Sequence, residues 1–192
     1  MASASESYSF PPASFRPLLA EIATLLTSGS SPATLAVAET TSGGLISASL
    51  LSVPGASKWY IGGATLYTTK SRSAWCGWSE QNIKDYRGAT PEVVTGLATH
   101  VCNTLEAAYC IGESGATGPT VPGKPFLHVA GRTYIAFVSR AGGVAVRMVD
   151  TGLADREKNM IAFTEAALQL IRDVLSGEAQ LEYVEKEDET KL

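Results

Sequence analysis

Three polar, glycine-containing segments hold the residues of this chain that could bind a ligand or catalyse a reaction. They read AETTSGG at 38–44, LYTTKSR at 66–72 and GESGATGP at 112–119. Each follows a short apolar run of strand type, and open α/β sheets bind ligands beyond the carboxyl ends of their strands. We therefore expect the three segments to form one site, although glycine, serine and threonine are also frequent in loops that carry no function.

Other catalytic and binding motifs fit the sequence less well. The regularly spaced Gly112, Gly115 and Gly118 suggest a phosphate-binding loop, but the prolines after them forbid the helix that a dinucleotide-binding loop requires. A Ser-His-Asp triad could use only His100 or His128, and a structural or exposed histidine is the better interpretation of both. Because histidines are few and no Asp/Glu cluster accompanies them, we expect no metal site. No motif predicts a cofactor.

Hydrophobic periodicity and turn residues indicate the elements that must position these segments. The predicted helices lie at about 14–28, 45–51, 68–76 and 91–108, with a long one ended by Gly177. The predicted strands lie at 34–38, 59–67, 108–112, 133–139 and 144–149. The last two are joined by RAGG, which is typical of a hairpin. Strands alternating with helices predict an α/β fold, a three-layer α/β/α sandwich with a mixed sheet of about five strands.

The length and charge distribution predict one domain with two tails. A chain of 192 residues with 45% hydrophobic residues can bury a core, which excludes global disorder. Residues 1–13 are rich in serine and proline and are expected to be mobile, whereas the domain spans 14–177. Residues 178–192 form an acidic tail, whose six acidic residues minus two lysines equal the whole net charge of −4. The neutral body argues against nucleic acid as a partner.

Compartment and redox state follow from simpler signals. No apolar run approaches the roughly 18 residues that span a bilayer, so we expect no membrane partner. The N-terminus resembles neither a secretory signal nor a transit peptide, which favours the cytoplasm. Cys76, Cys102 and Cys110 are odd in number and lack paired spacing, so we expect buried reduced thiols. The sequence leaves open whether the chain forms a homo-oligomer.

The three segments, taken with their surroundings, resemble a known family. The sequence AETTSGG is followed by VPGASKWYIGGATLYTTKSR, by GATPE at 88–92, and then by GESGATGP and the hairpin. This order, from about residue 15 to 176, resembles the C-terminal domain of the CinA family of competence/damage-inducible proteins, which includes the nicotinamide mononucleotide amidohydrolases called PncC. The resemblance implies an α/β/α sandwich and a hydrolase of NAD metabolism. Such an enzyme converts the carboxamide of nicotinamide mononucleotide to the acid and ammonia.

The resemblance also implies catalytic roles for Thr40, Tyr67 and Arg72. The family pattern A-E-S-x-T-G-G has its nucleophilic serine where this chain has Thr40, and Y-S-N-E-x-K places a tyrosine and a lysine at Tyr67 and Arg72. Threonine keeps the hydroxyl, although its β-methyl group restricts χ1. A guanidinium stays protonated near pH 7, so Arg72 is expected to bind an anionic ligand group rather than act as a base. Lys70 could replace the base only in a non-helical segment, since residues two apart on a helix point about 200° apart.

The remaining candidates are ligand-binding residues for a small nucleotide. They are Glu39, Thr41, Ser42, Gly43, Gly44, Ser114, Gly115, Thr117 and Gly118. The amides of Gly43 and Gly44, at a helix start, could bind a phosphate or an oxyanion. Glu39 could orient Tyr67 or accept a ligand hydroxyl, or it could be tied to backbone N–H groups. Two functions stay open: an amidohydrolase, or a non-catalytic relative that binds a nucleotide-like ligand or another protein.

Overall fold

A mixed sheet runs through the centre of the molecule. The computed structural model describes residues 10–121 and 129–183, and within them the sheet has six strands in the order β2-β1-β3-β4-β5-β6. The strands are β1 Leu35–Glu39, β2 Tyr60–Thr65, β3 Tyr109–Ala116, β4 Arg132–Ser139, β5 Gly143–Asp150 and β6 Glu182–Tyr183. Strand β1 is parallel to β2 and β3, whereas β4, β5 and β6 each run antiparallel to the preceding strand.

Helices cover both faces of the sheet. They are α1 Phe15–Thr27, α2 Leu45–Leu51, α3 Thr69–Cys76, α4 Glu80–Asp85, α5 Pro91–Thr104 and α6 Arg156–Ser176, with a 3₁₀ turn at Ala56–Lys58. Helices α1, α2 and α6 lie on one face, and α5 lies on the other with α3 beside it. The predicted α/β/α sandwich is confirmed, with one strand more than expected. Within the described ranges, no helix is both long enough and apolar enough to cross a bilayer.

The two layers of core follow from the alternation of side chains along the strands. Leu35 and Val37 of β1 pack towards α1 and α6, whereas Ala36 and Ala38 pack towards α5. Gly112 in β3 brings α5 close, because a β-carbon there would lie 2.9 Å from both the Val94 carbonyl oxygen and the Ala98 methyl group. Small residues on the α5 face therefore let this helix approach the strands that end at the predicted site.

The three cysteines lie in the α5-side core. Cys76, Cys102 and Cys110 are buried and free, which confirms the prediction of reduced thiols. Burial raises the pKa of the Cys76 thiol to about 11, although the nearby Arg72 cation opposes the shift. Burial likewise holds the pKa of Cys110 well above the ordinary value. All three pKa values are raised, so the thiols stay protonated and poorly nucleophilic near pH 7.

The structure corrects several predicted boundaries. Strand β3 continues to Ala116 rather than ending at Gly112, because antiparallel pairing with β4 extends through residues predicted as loop. Helix α5 ends at Thr104 rather than 108, and Glu106 beyond it has a left-handed φ of 51°. Helix α4 was not predicted, since it is short, polar and without buried residues. It is started by a capping box formed by Ser79 and Asn82.

The C-terminal boundary of the domain also moves. Strand β6 pairs with Gly143 and Val144 of β5, and Leu181 packs against the core. The predicted acidic tail at 178–192 therefore begins with residues that belong to the sheet. The sequence signal for β6 is weak, because a strand of two residues is too short to show a periodicity. Residues 1–9 of the predicted N-terminal tail and residues 184–192 lie outside the described residues, as does His128.

We predict that β6 stabilises the domain. A chain that ends at Gly177 should lose about 1–3 kcal/mol of unfolding free energy relative to a chain that ends at Tyr183, because Leu181 and the β5–β6 pairing are removed. Urea denaturation of the two chains measures the difference. Equal midpoints would show that the segment 178–183 contributes no stability.

Candidate functional site

The three segments singled out in the sequence meet at one edge of the sheet. Glu39, the last residue of β1, lies opposite Thr65 of β2 on one side and Glu113 of β3 on the other. Because β1, β2 and β3 are parallel, the residues that follow these positions all emerge at the same edge. The loop 40–44, the segment 66–72 and the end of β3 with the following residues therefore form a single candidate site.

Glu113 is the centre of this edge. Its Oε2 atom accepts hydrogen bonds from the backbone N–H groups of Thr40, Thr41 and Ser42, at 3.1, 2.9 and 3.0 Å. Its Oε1 atom accepts from the hydroxyl groups of Thr41 and Thr133. The side chain is fully buried. Glu113 thus fixes the backbone that carries the predicted nucleophile. No sequence pattern predicted this role, although both β1 and β3 end their apolar runs with a glutamate.

Glu39 is bound to the start of α2. Its carboxylate accepts hydrogen bonds from the N–H groups of Ile46 and Ser47, both at 3.1 Å, and from the Ser47 hydroxyl at 2.6 Å. Of the three interpretations left open, the structure favours attachment to backbone N–H groups over orienting Tyr67 or accepting a ligand hydroxyl. The first amides of α2 are therefore already occupied.

The two glutamates are held together without a cation. The Ser42 hydroxyl lies 2.7 Å from Glu39 Oε2 and 3.0 Å from Glu113 Oε2. In the described part of the chain no lysine, arginine or histidine forms an ion pair with either carboxylate. Backbone amides and hydroxyl groups instead satisfy the buried acids, which is the alternative to pairing for a buried charge.

Gly43 and Gly44 make the turn that leads from this network into α2. Both have left-handed backbones, with φ of 69° and 100°. Neither of their N–H groups donates to a described residue. A β-carbon at Gly43 would lie 2.8 Å from the terminal methyl group of Met160 in α6, which is flexible enough to shift, so the left-handed φ is the main reason for glycine there. Two backbone donors, three and four residues after Thr40, are therefore left without a partner among the described residues, and such donors could serve an oxyanion.

Several polar groups at this edge are buried without a hydrogen-bond partner in the described ranges. They are Thr40 Oγ1, Arg72 Nη1, Ser114 Oγ and Thr117 Oγ1, and they come from all three segments. Buried polar side chains nearly always have a partner. Four unpartnered groups on neighbouring segments therefore indicate that this edge is built to receive polar groups of a ligand.

The three predicted catalytic residues are not joined by hydrogen bonds in the structure. Thr40 is only 1% exposed, whereas Tyr67 is 54% exposed and its phenol oxygen accepts a hydrogen bond from Arg156 at 3.2 Å. Arg72 is buried and donates through Nε to the Leu66 carbonyl oxygen at 3.1 Å. The expected catalytic arrangement of Thr40, Tyr67 and Arg72 therefore stays a prediction, which a structure with a bound ligand would test.

Lys70 does not replace the base at Arg72. Both residues lie in α3, which begins at Thr69, so the non-helical segment required for Lys70 is not present. The side chain of Lys70 is exposed, whereas Arg72 faces the core. His100 lies in α5 against Gly77, and no cluster of three or more metal-ligating side chains occurs among residues 10–121 and 129–183.

Asn159 of α6 fastens the third segment. Its Nδ2 atom donates to the carbonyl oxygens of Thr117 and Leu153, at 2.9 and 3.0 Å, and its Oδ1 atom accepts from the Thr151 hydroxyl. The side chain is fully buried. The role of Asn159 was not predictable, because a single asparagine in a long helix carries no distinguishing sequence pattern.

The glycines of this segment have structural reasons as well. A β-carbon at Gly115 would lie 2.5 Å from the Arg132 carbonyl oxygen, and Gly118 has a φ of 74°. Gly115 therefore allows β3 and β4 to pair closely, and Gly118 makes the turn after β3. The predicted pocket residues Ser114 and Thr117 remain the two members of this segment with unpartnered hydroxyl groups.

We predict that Glu113 is essential for the stability of the site loop. Glu113→Ala should cost at least about 3 kcal/mol of unfolding free energy, because three backbone N–H groups lose their acceptor. Glu113→Gln should cost less, since the amide oxygen can replace Oε2 and the facing hydroxyl groups can rotate. Chemical denaturation measures both, with Glu21→Ala on the exposed face of α1 as the control. A loss below about 1 kcal/mol in Glu113→Ala would contradict the role.

Comparison with known proteins gives the same picture. The sequence model of the CinA C-terminal domain matches residues 16–175. A CinA-like protein of Myxococcus xanthus is 32% identical over 146 residues, which covers 74% of this chain and 33% of that protein. A CinA-like protein of Solibacter usitatus is 27% identical over 148 residues, covering 77% of this chain and 35% of that protein. The chain thus spans about a third of the length of these relatives.

Solved structures share the fold. A CinA superfamily protein from Klebsiella pneumoniae 700603 superposes with a TM-score of 0.74 at 18% identity, covering 84% of this chain and 97% of that chain. A competence or damage-inducible protein from Enterobacter asburiae gives a TM-score of 0.73 at 21% identity, covering 82% and 96%. The match of the family model to most of the chain, on this fold, shows that the chain belongs to the CinA C-terminal domain family.

Proposed function

We propose that the chain is an amidohydrolase that acts on nicotinamide mononucleotide or a related nucleotide amide, in the NAD metabolism of the cytoplasm. The observation that carries the proposal is the hydroxyl group of Thr40. Among the described residues it is buried without a hydrogen-bond partner at the carboxyl edge of the sheet. Its loop has a backbone fixed by Glu113 and two N–H groups that donate to none of these residues. A nucleophile and an oxyanion site are therefore offered by one rigid loop.

The reaction would proceed through an acyl-enzyme. Thr40 Oγ1 attacks the carboxamide carbon, and the N–H groups of Gly43 and Gly44 stabilise the oxyanion of the tetrahedral intermediate. Tyr67 relays the threonine proton to the amide nitrogen, which leaves as ammonia when the C–N bond breaks. Arg156 donates to the phenol oxygen, so the phenol proton is free to be donated. Water then hydrolyses the ester to the acid and restores Thr40.

A second candidate is a family member that binds the same nucleotide without hydrolysing it. Two observations favour it: Thr40 Oγ1 has no base within hydrogen-bonding distance among the described residues, and Arg72 is a fixed cation. The unpartnered groups of the edge would then serve recognition alone. The two candidates share the ligand and differ only in turnover.

The decisive experiment measures ammonia release from nicotinamide mononucleotide. We expect the full chain to release ammonia, Thr40→Ala to abolish the release, and Thr40→Ser to keep or raise it, since serine lacks the β-methyl group that restricts χ1. Tyr67→Phe should lower the rate by about 10²-fold or more if Tyr67 transfers the proton. Thr99→Ala, an exposed threonine of α5, is the matched control.

Each alternative has its own outcome. Binding of nicotinamide mononucleotide in calorimetry without ammonia release would support the non-catalytic candidate. A measurable rate that is unchanged in Thr40→Ala would show that another group is the nucleophile. Thermal melts of each variant establish that the loss of activity is not a loss of fold.

A further inference from the structure

Arg72 is a buried cation without an anion. Its side chain is 3% exposed, and it forms no ion pair with any acidic residue that the structure describes. Among the residues that the structure describes, Nε alone has a hydrogen-bond partner, the Leu66 carbonyl oxygen, and the buried Nη1 has none. A guanidinium cannot release its proton near pH 7, and a buried charge left unpaired is costly. The arginine is therefore incompletely satisfied.

Two aromatic rings contact this guanidinium. Its Cζ atom lies 5.0 Å from the centre of the Trp78 ring and 4.8 Å from that of Tyr86. The two ring centres are 5.3 Å apart at an interplanar angle of 62°. The guanidinium and the two ring centres thus form a triangle with nearly equal sides, so the guanidinium contacts both rings at once. Cation–π attraction of this kind favours arginine.

The local backbone is built to hold this arrangement. Gly77 ends α3 with a left-handed φ of 67°, and the Trp78 N–H group returns to bond the Arg72 carbonyl oxygen. The capping box of α4 then directs the chain so that Tyr86 follows its last turn. Trp78 and Tyr86 are therefore held by specific turns on either side of α4, rather than by general packing.

The Arg72 cation belongs to the candidate site by position. Its Nε atom holds the carbonyl oxygen of Leu66, whose own N–H group donates to the carbonyl oxygen of Glu39. Glu39 directly precedes Thr40, so one side-chain and one backbone hydrogen bond connect Arg72 to the residue before the predicted nucleophile. The unpartnered Nη1 thus accompanies the unpartnered hydroxyl groups at this edge.

We propose that Trp78 and Tyr86 are positioning residues that hold Arg72 as a desolvated cation, and that Arg72 forms an anion subsite for a ligand oxyanion, either a phosphomonoester or a carboxylate. The subsite goes beyond hydrolysis, because a non-catalytic relative would use it in the same way. Lysine should not replace Arg72, since an ammonium group is more strongly hydrated and lacks the planar face that packs on the rings.

The test measures anion binding to the full chain, with inorganic phosphate and acetate as the probes. Titrations followed by NMR of the indole N–H groups should show saturable binding of at least one anion below about 50 mM, the weak range of a single charge-assisted contact. Arg72→Gln should abolish the binding. Phosphate binding would assign the subsite to a phosphomonoester and acetate binding to a carboxylate.

The aromatic variants separate positioning from a purely structural role. Trp78→Leu and Tyr86→Leu should each weaken anion binding about fivefold to tenfold, as the loss of a cation–π contact predicts. Tyr86→Phe, which keeps the ring, and Trp75→Leu, which removes the 65% exposed tryptophan of α3, should stay within about twofold of wild type. Arg72→Lys should behave like Arg72→Gln.

Clear results would overturn the proposal. Absence of saturable binding of both anions to the wild-type chain, or equal binding by Arg72→Gln, would remove the subsite. Aromatic variants that lower the melting temperature but leave anion affinity unchanged would show that Trp78 and Tyr86 only stabilise the fold. Because no readout involves ammonia, failure of this proposal is distinguishable from failure of the amidohydrolase assignment.

Discussion

A single carboxylate oxygen that accepts hydrogen bonds from three consecutive backbone N–H groups organises the candidate site of this protein. Glu113 Oε2 can reach the amides of Thr40, Thr41 and Ser42 only because β1 and β3 are neighbouring parallel strands whose register sets Glu39 opposite Glu113. The chain must curl around this oxygen as it leaves β1. The direction of Thr40 and the turn at Gly43 and Gly44 both follow from that curl, so the sheet register determines the site geometry.

The sheet also divides the charged groups of the site. Glu39 and Glu113 face the layer of α1, α2 and α6, as the alternation with Val37 and Ile111 requires, and their oxygens are saturated by amides and hydroxyl groups. Arg72 lies on the α5 side and lacks such partners. A buried group whose hydrogen bonds are all satisfied can serve the fold alone, whereas a buried unpartnered group calls for an explanation such as a ligand. Among the described residues, the buried charge of this edge that has no ion-pair partner therefore lies on its α5 side.

The structural features that depend on local sequence pattern could be predicted from the sequence. Periodicity and glycine turns predicted Leu45–Leu51 as a helix, the hairpin of β4 and β5, and the layered architecture, and the strand ends pointed to the edge at which the three segments meet. The partners of Glu113 were not predictable, because they depend on the register between strands some seventy residues apart. The contacts of Trp78 and Tyr86 with Arg72 were not predictable for a similar reason, because they depend on the turn at Gly77 and on the short helix α4.

The start of α6 contacts every part of the site. Arg156 reaches Tyr67 in the second segment, Asn159 holds the carbonyl oxygen of Thr117 in the third, and Met160 lies against Gly43 in the first. The preceding connection, residues 151–155, is mostly exposed, and exposed connections generally tolerate changes of length. The two ends of this connection are nevertheless fixed, because the Thr151 hydroxyl donates to Asn159 Oδ1 and Asp155 caps α6 by accepting from the Lys158 N–H group, so a change of length would strain these contacts. Sequence drift in this family member should therefore alter the composition of that connection far more readily than its length.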